Sequence, residues 1–240
     1  GQHEQRISTR SEALLRGVRI AELWRDPESG QQHALAVLPR LQAAQGLRRE
    51  LVQLDDGLSR QLAAAQAAGD PLAQLGPAER ALRLAEERET LDRMLRVVDS
   101  TGMGMPPANG LARLRADRDA LVARVRVVVD STEGDADFAE TIRGALAKSG
   151  FTVARDDAAA EYRLAATLDA HDLGQQEGWN WLRASVSIVL KDASDRVRGQ
   201  HSWSFKASAA DPRSARQRLH KDIERVLGEE LLPVIVGFAG

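Results

Sequence analysis

Cysteine is absent from the 240 residues, which excludes disulfides, zinc–thiolate sites and thiol nucleophiles and leaves both reducing and oxidising compartments open. Aromatic residues are scarce at 4%, and the Ala- and Leu-rich first half favours helices that pack through small and aliphatic side chains. Charge of one sign is lacking too. With 33 Lys+Arg against 35 Asp+Glu, no overall field draws the chain to nucleic acid or to an acidic membrane surface. No run approaches the roughly 20 apolar residues of a membrane helix. The most apolar piece, 231–239, is interrupted by Pro233 and Gly237. The stretch from Gly1 is polar and has no h-region, which fits a signal peptide or lipid-anchor segment removed beforehand. Any membrane attachment is expected through an anchor outside this chain.

The chain that remains reads as α+β. Residues 14–24 and 33–38 are β-prone runs around the turn-forming Asp26-Pro27-Glu28-Ser29-Gly30, and so form a hairpin. Two strands alone are marginal in water, so Val18, Ile20, Leu35 and Val37 are expected to be covered by later helices or by residues upstream of Gly1. Beyond Pro39 the period changes, and Leu47, Leu51, Leu54, Leu58 and Leu62 lie on one helical stripe. A break is expected from Gly69-Asp70-Pro71 to Gly76-Pro77, followed by a second stripe of Ala81, Leu84, Leu91, Leu95 and Val98. The result is a long antiparallel helical hairpin. It is either an arm whose stripe meets a partner or a helical pair packed within the chain.

Segment 100–110, with its glycines and prolines, reads as a linker. After it comes a short helix, then a buried strand at 125–129 and a helix at 135–148 closed by Gly150. A strand at 151–154 follows, and then three alternating runs at 162–168, 182–190 and 197–207. Asp211 caps a last helix with Pro212 at its first position, and Ala215, Leu219, Ile223, Val226 and Leu227 form its buried stripe. The expected fold is therefore a β-hairpin remnant and helical hairpin followed by a β-α-β-β-β-β-α two-layer sandwich with two helices on one sheet face. The expected divisions are 1–39, 40–99, 100–110 and 111–240.

Few residues carry chemistry. Asp169, His171 and Asp172 make the densest cluster of potential ligands, placed where a strand is expected to run into a loop at 174–178. Such residues also form ordinary turns, and this cluster brings neither a thiolate nor a second spaced His. His201 falls on the dry face of the last strand beside Trp203 and Phe205, and is expected to be a hydrogen-bonded core residue. Ser131 and Thr132 follow a strand but lack the G-x-S-x-G elbow. Gly102-Met103-Gly104 lacks the Lys-Ser/Thr of a phosphate loop and has no preceding strand. Arg213, Arg216, Arg218, Lys221 and Arg225 on the last helix alternate with Asp222 and Glu224, as on a solvated face. No catalytic residue, metal or cofactor is assigned.

The tryptophans are different. If Leu182, Ala184, Val186, Ile188 and Leu190 point inward, alternation puts Trp181 and Arg183 on the opposite, wetter face, with Trp179 close by. Trp and Arg are enriched at contact centres, which makes Trp179, Trp181 and Arg183 the candidate binding residues. The alternative is that both tryptophans pack under the loop before them.

Two stretches resemble known families. The hairpin from Leu15-Arg16-Gly17-Val18-Arg19-Ile20 through Trp24-Arg25-Asp26-Pro27-Glu28-Ser29-Gly30 to Ala34-Leu35-Ala36-Val37-Leu38, entering a helix with Leu54-Asp55, resembles bacterial envelope lipoproteins of the Lpp-twenty type. Ala160-Glu161-Tyr162-Arg163-Leu164 and the paired strands after it are similar, more loosely, to TolB-amino-terminal-like and CsgG-like periplasmic domains. The resemblance implies that the hairpin ends a small α/β domain beginning before Gly1. It further implies a periplasmic or outer-membrane-associated accessory protein, although the lipidation Cys is missing. The expected function is non-enzymatic binding or assembly with protein partners or with itself, through the arm and the tryptophan edge. Cell-wall polysaccharide binding and a metal-dependent hydrolase are the alternatives.

Overall fold

The computed structural model describes residues 18–131, 136–156 and 159–239, so Leu14 to Gly17 and the turn after Ser131, Thr132 included, lie outside the described residues. Its elements are β1 (Arg19–Arg25), β2 (Gln32–Val37), α1 (Arg40–Ala67), α2 (Pro71–Val98), α3 (Leu111–Arg124), β3 (Arg126–Ser131), α4 (Ala136–Lys148), β4 (Thr152–Val153), β5 (Tyr162–Gln176), β6 (Trp179–Asp192), β7 (Val197–Ala209) and α5 (Pro212–Gly237). The fold is α+β. Two compact units are formed, one from Gly1–Ser59 with Arg83–Leu111 and one from Arg60–Leu82 with Ala112–Gly240.

In the first unit β1 and β2 pair antiparallel, with a register shift between Ile20 and Glu22. Asp26 holds the turn, its carboxylate accepting from the Glu28 N–H and from the Ser29 hydroxyl, and Gly30 supplies a φ of 70°. Hydrogen bonds to the charged form, first of all from Ser29, hold the Asp26 carboxyl below its usual range. Of the two covers expected, that by later helices is not formed. Ile20 is 60% exposed and Leu35 44%, so among the described residues no helix buries this hairpin.

The helical stripe, by contrast, is buried inside the chain. Ala44, Leu51 and Leu95 form a small core with Leu47, Leu91, Val98 and Met105 against it, and both Leu51 and Leu95 are wholly buried. Of the two expectations for the stripe, this is the pair packed within the chain, and a stripe already covered has little apolar area left to offer. Arg88, Asp92 and Asp99 are buried in the same unit. Arg88 is paired with Asp55 and also donates to the carbonyls of Met105 and Pro106, at 3.0 and 3.3 Å. The Met105 N–H in turn donates to Asp92 Oδ1 at 2.6 Å. Segment 100–110, read as a linker, is thus irregular but pinned to α2.

The helix break expected between Gly69 and Pro77 is shorter than its punctuation suggests. Asp70 accepts from the Ala73 N–H at 2.8 Å as an N-cap, Pro71 opens α2, and the helix continues through Gly76 and Pro77. Gly76 allows close approach, because a Cβ there would lie 3.3 Å from that of Ala239. Helix α2 begins in the second unit, where Leu72 and Leu75 are wholly buried in the same core as Val122, Leu146 and Leu164. That unit therefore takes in 60–82 as well as the expected sandwich.

The sheet order is β4-β3-β5-β6-β7, with β3 parallel to β4 and β5, and with β5, β6 and β7 antiparallel in sequence. Helices α4 and α5 pack on the face formed by Val127, Leu164, Val186, Ile188 and Phe205. Asp211 caps α5 by accepting from the Ser214 N–H at 2.9 Å, and Pro212 follows as expected. The helix extends further than its capping signals alone would indicate. It carries Pro233 in its interior, and its buried stripe of Ala215, Leu219, Ile223 and Leu227 runs on through Leu231 and Ile235. Trp203 belongs to this core, its indole N–H donating to Glu230 Oε2 at 2.8 Å.

Candidate functional site

The face of the sheet opposite α4 and α5 carries the candidate residues. Strands β5 and β6 are longer than alternation alone predicts. Asp172, Leu173 and Gly174–Gln176 belong to β5, and Trp179 and Trp181 belong to β6. Only Glu177 and Gly178 make the turn, with φ of 52° and 80°, the paired left-handed geometry of a two-residue hairpin. No loop at 174–178 exists for the tryptophans to pack under.

Register then places each side chain. Leu182 and Ala184 are buried, so Trp181, Arg183 and Ser185 face outward, as alternation requires. Trp179, at the start of β6, is 48% exposed. Trp181 is half-buried, and Lys206 Nζ stands 4.2 Å above its ring in a cation–π contact. Arg183 lies in register with His171 on β5 and with Lys206 on β7, so these three side chains make one row across three strands. Hydroxyls follow: Ser185 is in register with Ser204, and the Ser187 and Ser202 hydroxyls are 3.0 Å apart. His171 stands out in the sequence only beside Asp169 and Asp172, and its place with Lys206 on either side of Arg183 leaves no sequence signal, because a residue's cross-strand neighbours depend on register.

The proposed ligand cluster does not assemble. Asp169 and His171 share the open face, with His171 Nε2 3.0 Å from Asp169 Oδ2. Asp172 is in register with buried Leu182, on the other face, and accepts from the Gly174 N–H at 2.8 Å within a register shift. Among the described residues no three His, Asp or Glu side chains gather as a metal site would need. His201 also differs from expectation. It shares the face of Trp203 and meets that ring edge-on at 4.5 Å, but it is exposed, on a strand at the edge of the sheet. On α5, Arg218 donates to the Ser208 carbonyl and Arg225 pairs with Glu229, while Arg213 and Arg216 are exposed.

A second polar cluster sits away from that face. The Tyr162 hydroxyl and the Arg198 guanidinium both bind Asp70, at 2.8 and 3.0 Å, and Arg198 also lies 3.9 Å from Asp192. Burial pushes Asp70 up, but hydrogen bonds from Ala73, Tyr162 and Arg198 outweigh it and hold the carboxyl below its usual range. Burial and the Asp70 carboxylate together raise Tyr162 well above the ordinary phenol value. With every member already partnered, this cluster has the form of a structural tie.

No family model and no curated protein matches the chain. Several solved structures show similarity, three of them over about half of it. One is a minor lipoprotein from Acinetobacter baumannii, 12% identical, covering 48% of this chain and 90% of its own, with TM-score 0.36. Another is a protein described as a lipoprotein from Caulobacter crescentus, 21% identical, covering 52% of this chain and 95% of its own, with TM-score 0.34. The third is the rare lipoprotein B from Shewanella oneidensis, 15% identical, covering 47% of this chain and 89% of its own, with TM-score 0.26. All three are bacterial lipoproteins. None is described as an Lpp-twenty, TolB or CsgG protein, and at these scores nothing of function carries over.

Proposed function

We propose that the chain is a non-enzymatic protein of the bacterial cell envelope that binds other proteins, or itself, through the open sheet face around Trp179, Trp181 and Arg183. The observation that carries this is the position of the two tryptophans. Trp203 fills the core, whereas Trp179 is 48% exposed and Trp181 is covered only in part, by the Lys206 ammonium. The indole surface left in water adds little to folding, and Trp and Arg are enriched at contact centres. The envelope assignment, periplasmic or outer-membrane-associated, rests on the Lpp-twenty-like hairpin of the sequence. No helix of the described residues is long and apolar enough to cross a membrane.

A second reading, a cell-wall polysaccharide module, is favoured by the hydroxyl-rich surroundings of Trp181, where Ser185, Ser204 and Ser208 lie on the same face. The deciding experiment replaces Trp179 with a photo-activated cross-linking residue in the source cells. Discrete protein adducts are expected, absent when the cross-linker stands at exposed Arg216. No adducts, together with a saturable change in tryptophan fluorescence on adding cell-wall glycan, would put the polysaccharide reading in its place.

A further inference from the structure

The row across β5, β6 and β7 carries a charge imbalance within an otherwise polar face. Arg183 and Lys206 are in register on adjacent strands. Side chains so placed have Cβ atoms about 5 Å apart, and like charges there destabilise the sheet. Neither forms an ion pair among the described residues, although salt bridges are common elsewhere in the unit: Arg163 with Asp130, Lys191 with Asp195, Arg196 with Asp192. The carboxylate beside the row, Asp169, is engaged by His171 at 3.0 Å. The Lys206 ammonium instead lies on the Trp181 ring. One residue pair further along β6, on the same face, come Trp181 and Trp179.

We infer that this row docks an acidic, extended segment of a partner protein, one carboxylate between Arg183 and Lys206 and an apolar side chain two residues away against Trp181 and Trp179. The Arg fork and the Lys ammonium supply donors converging on one carboxylate. Alternate residues of an extended chain repeat at about 6.6 Å, the same spacing that separates Arg183 from Trp181 along β6. A partner with an acidic-x-apolar pattern thus meets charge with charge and indole with hydrocarbon in one register, and it relieves the repulsion between the two cations. The row is short and flanked by Ser185 and Ser204, with Ser187 and Ser202 beyond them, rather than by further unpaired cations, which suits a discrete carboxylate better than an extended anionic surface.

This inference rests on the proposed contact function, and the test separates the two. Tryptophan fluorescence of the full chain is titrated with a synthetic peptide repeating Asp-Ser-Leu-Ser and with its Asn-Ser-Leu-Ser counterpart. Inorganic phosphate and phosphatidylglycerol vesicles form the other arms. The acidic peptide should bind roughly tenfold more tightly than the neutral one at low salt, and the difference should vanish at high salt. It should vanish equally in R183Q/K206Q, whose melting is unchanged or raised. Equal binding of the two peptides, or a response to phosphate or vesicles without one to the acidic peptide, overturns the inference. Cross-links from position 179 that persist undiminished in R183Q/K206Q would overturn it while leaving the contact function standing. Absence of any protein adduct would remove the contact function itself.

Discussion

The Tyr162 hydroxyl donates a 2.8 Å hydrogen bond to Asp70 Oδ1 across 92 residues of sequence, tying the first strand residue of β5 to the N-cap of α2. Arg198 completes the tie from β7. Tyr162→Phe removes one bond to a charged acceptor and should cost about 1–2 kcal/mol, read by thermal or denaturant unfolding.

The same contact sets a pH dependence. The Asp70 carboxyl is held below its ordinary value in the folded chain, so its stabilisation is fully present above the unfolded value, about 3.9, and is lost as pH falls through the lower folded value. Melting temperature against pH should therefore drop less steeply on the acid side for Asp70→Asn than for the wild type. An identical acid limb would show that Asp70 does not carry the effect.

Gly199 lies against Phe238, and a Cβ at that position would be 2.1 Å from the ring. Gly199→Ala should destabilise the second unit by about 1–3 kcal/mol through overpacking. Adding Phe238→Ala should cost less than the sum of the two single changes, because the two sites share one space.

Arg88 pins segment 100–110 to α2 through the Met105 and Pro106 carbonyls while pairing with Asp55. Arg88→Met leaves those acceptors without their donor and should cost about 1–3 kcal/mol. Limited proteolysis should then cut near Pro106 and Pro107 in the variant and spare the wild type.

Much of this was legible in the sequence, and what was not has identifiable causes. The α+β class, the strand order in the chain, the Asp211-Pro212 cap and the outward direction of Trp181 and Arg183 all follow from local periodicity and capping chemistry. The turn at Glu177-Gly178 was hidden because a Glu adopts left-handed backbone there, so the glycines at 174 and 178 read as one loop. Gly76-Pro77 read as a break because tertiary burial of both residues overrides their weak helix propensity. Arg88 and Asp92 did leave a signal, since both fall on the stripe between Leu84 and Leu95 at helical spacing. Lys206 beside Trp181 left none, for cross-strand neighbours are set by register.

Leu72 and Leu75 are wholly buried in the second unit's core, so a fragment of 111–240 lacks part of its own packing. That fragment should melt below one that retains 68–82 and should bind an apolar dye. A synthetic 68–82 peptide added in trans should raise its melting temperature.

Trp181→Ala separates a role in contact from a role in folding, with thermal melting and the cross-linking yield at position 179 measured on the same variant. A contact residue should leave the melting temperature nearly unchanged and reduce the yield at sub-saturating partner about thirtyfold, the equivalent of roughly 2 kcal/mol at a hot spot. A clear fall in melting temperature, matching a loss of roughly 3 to 5 kcal/mol as for truncation of a core Trp, with cross-linking undiminished, would show that Trp181 belongs to the core instead.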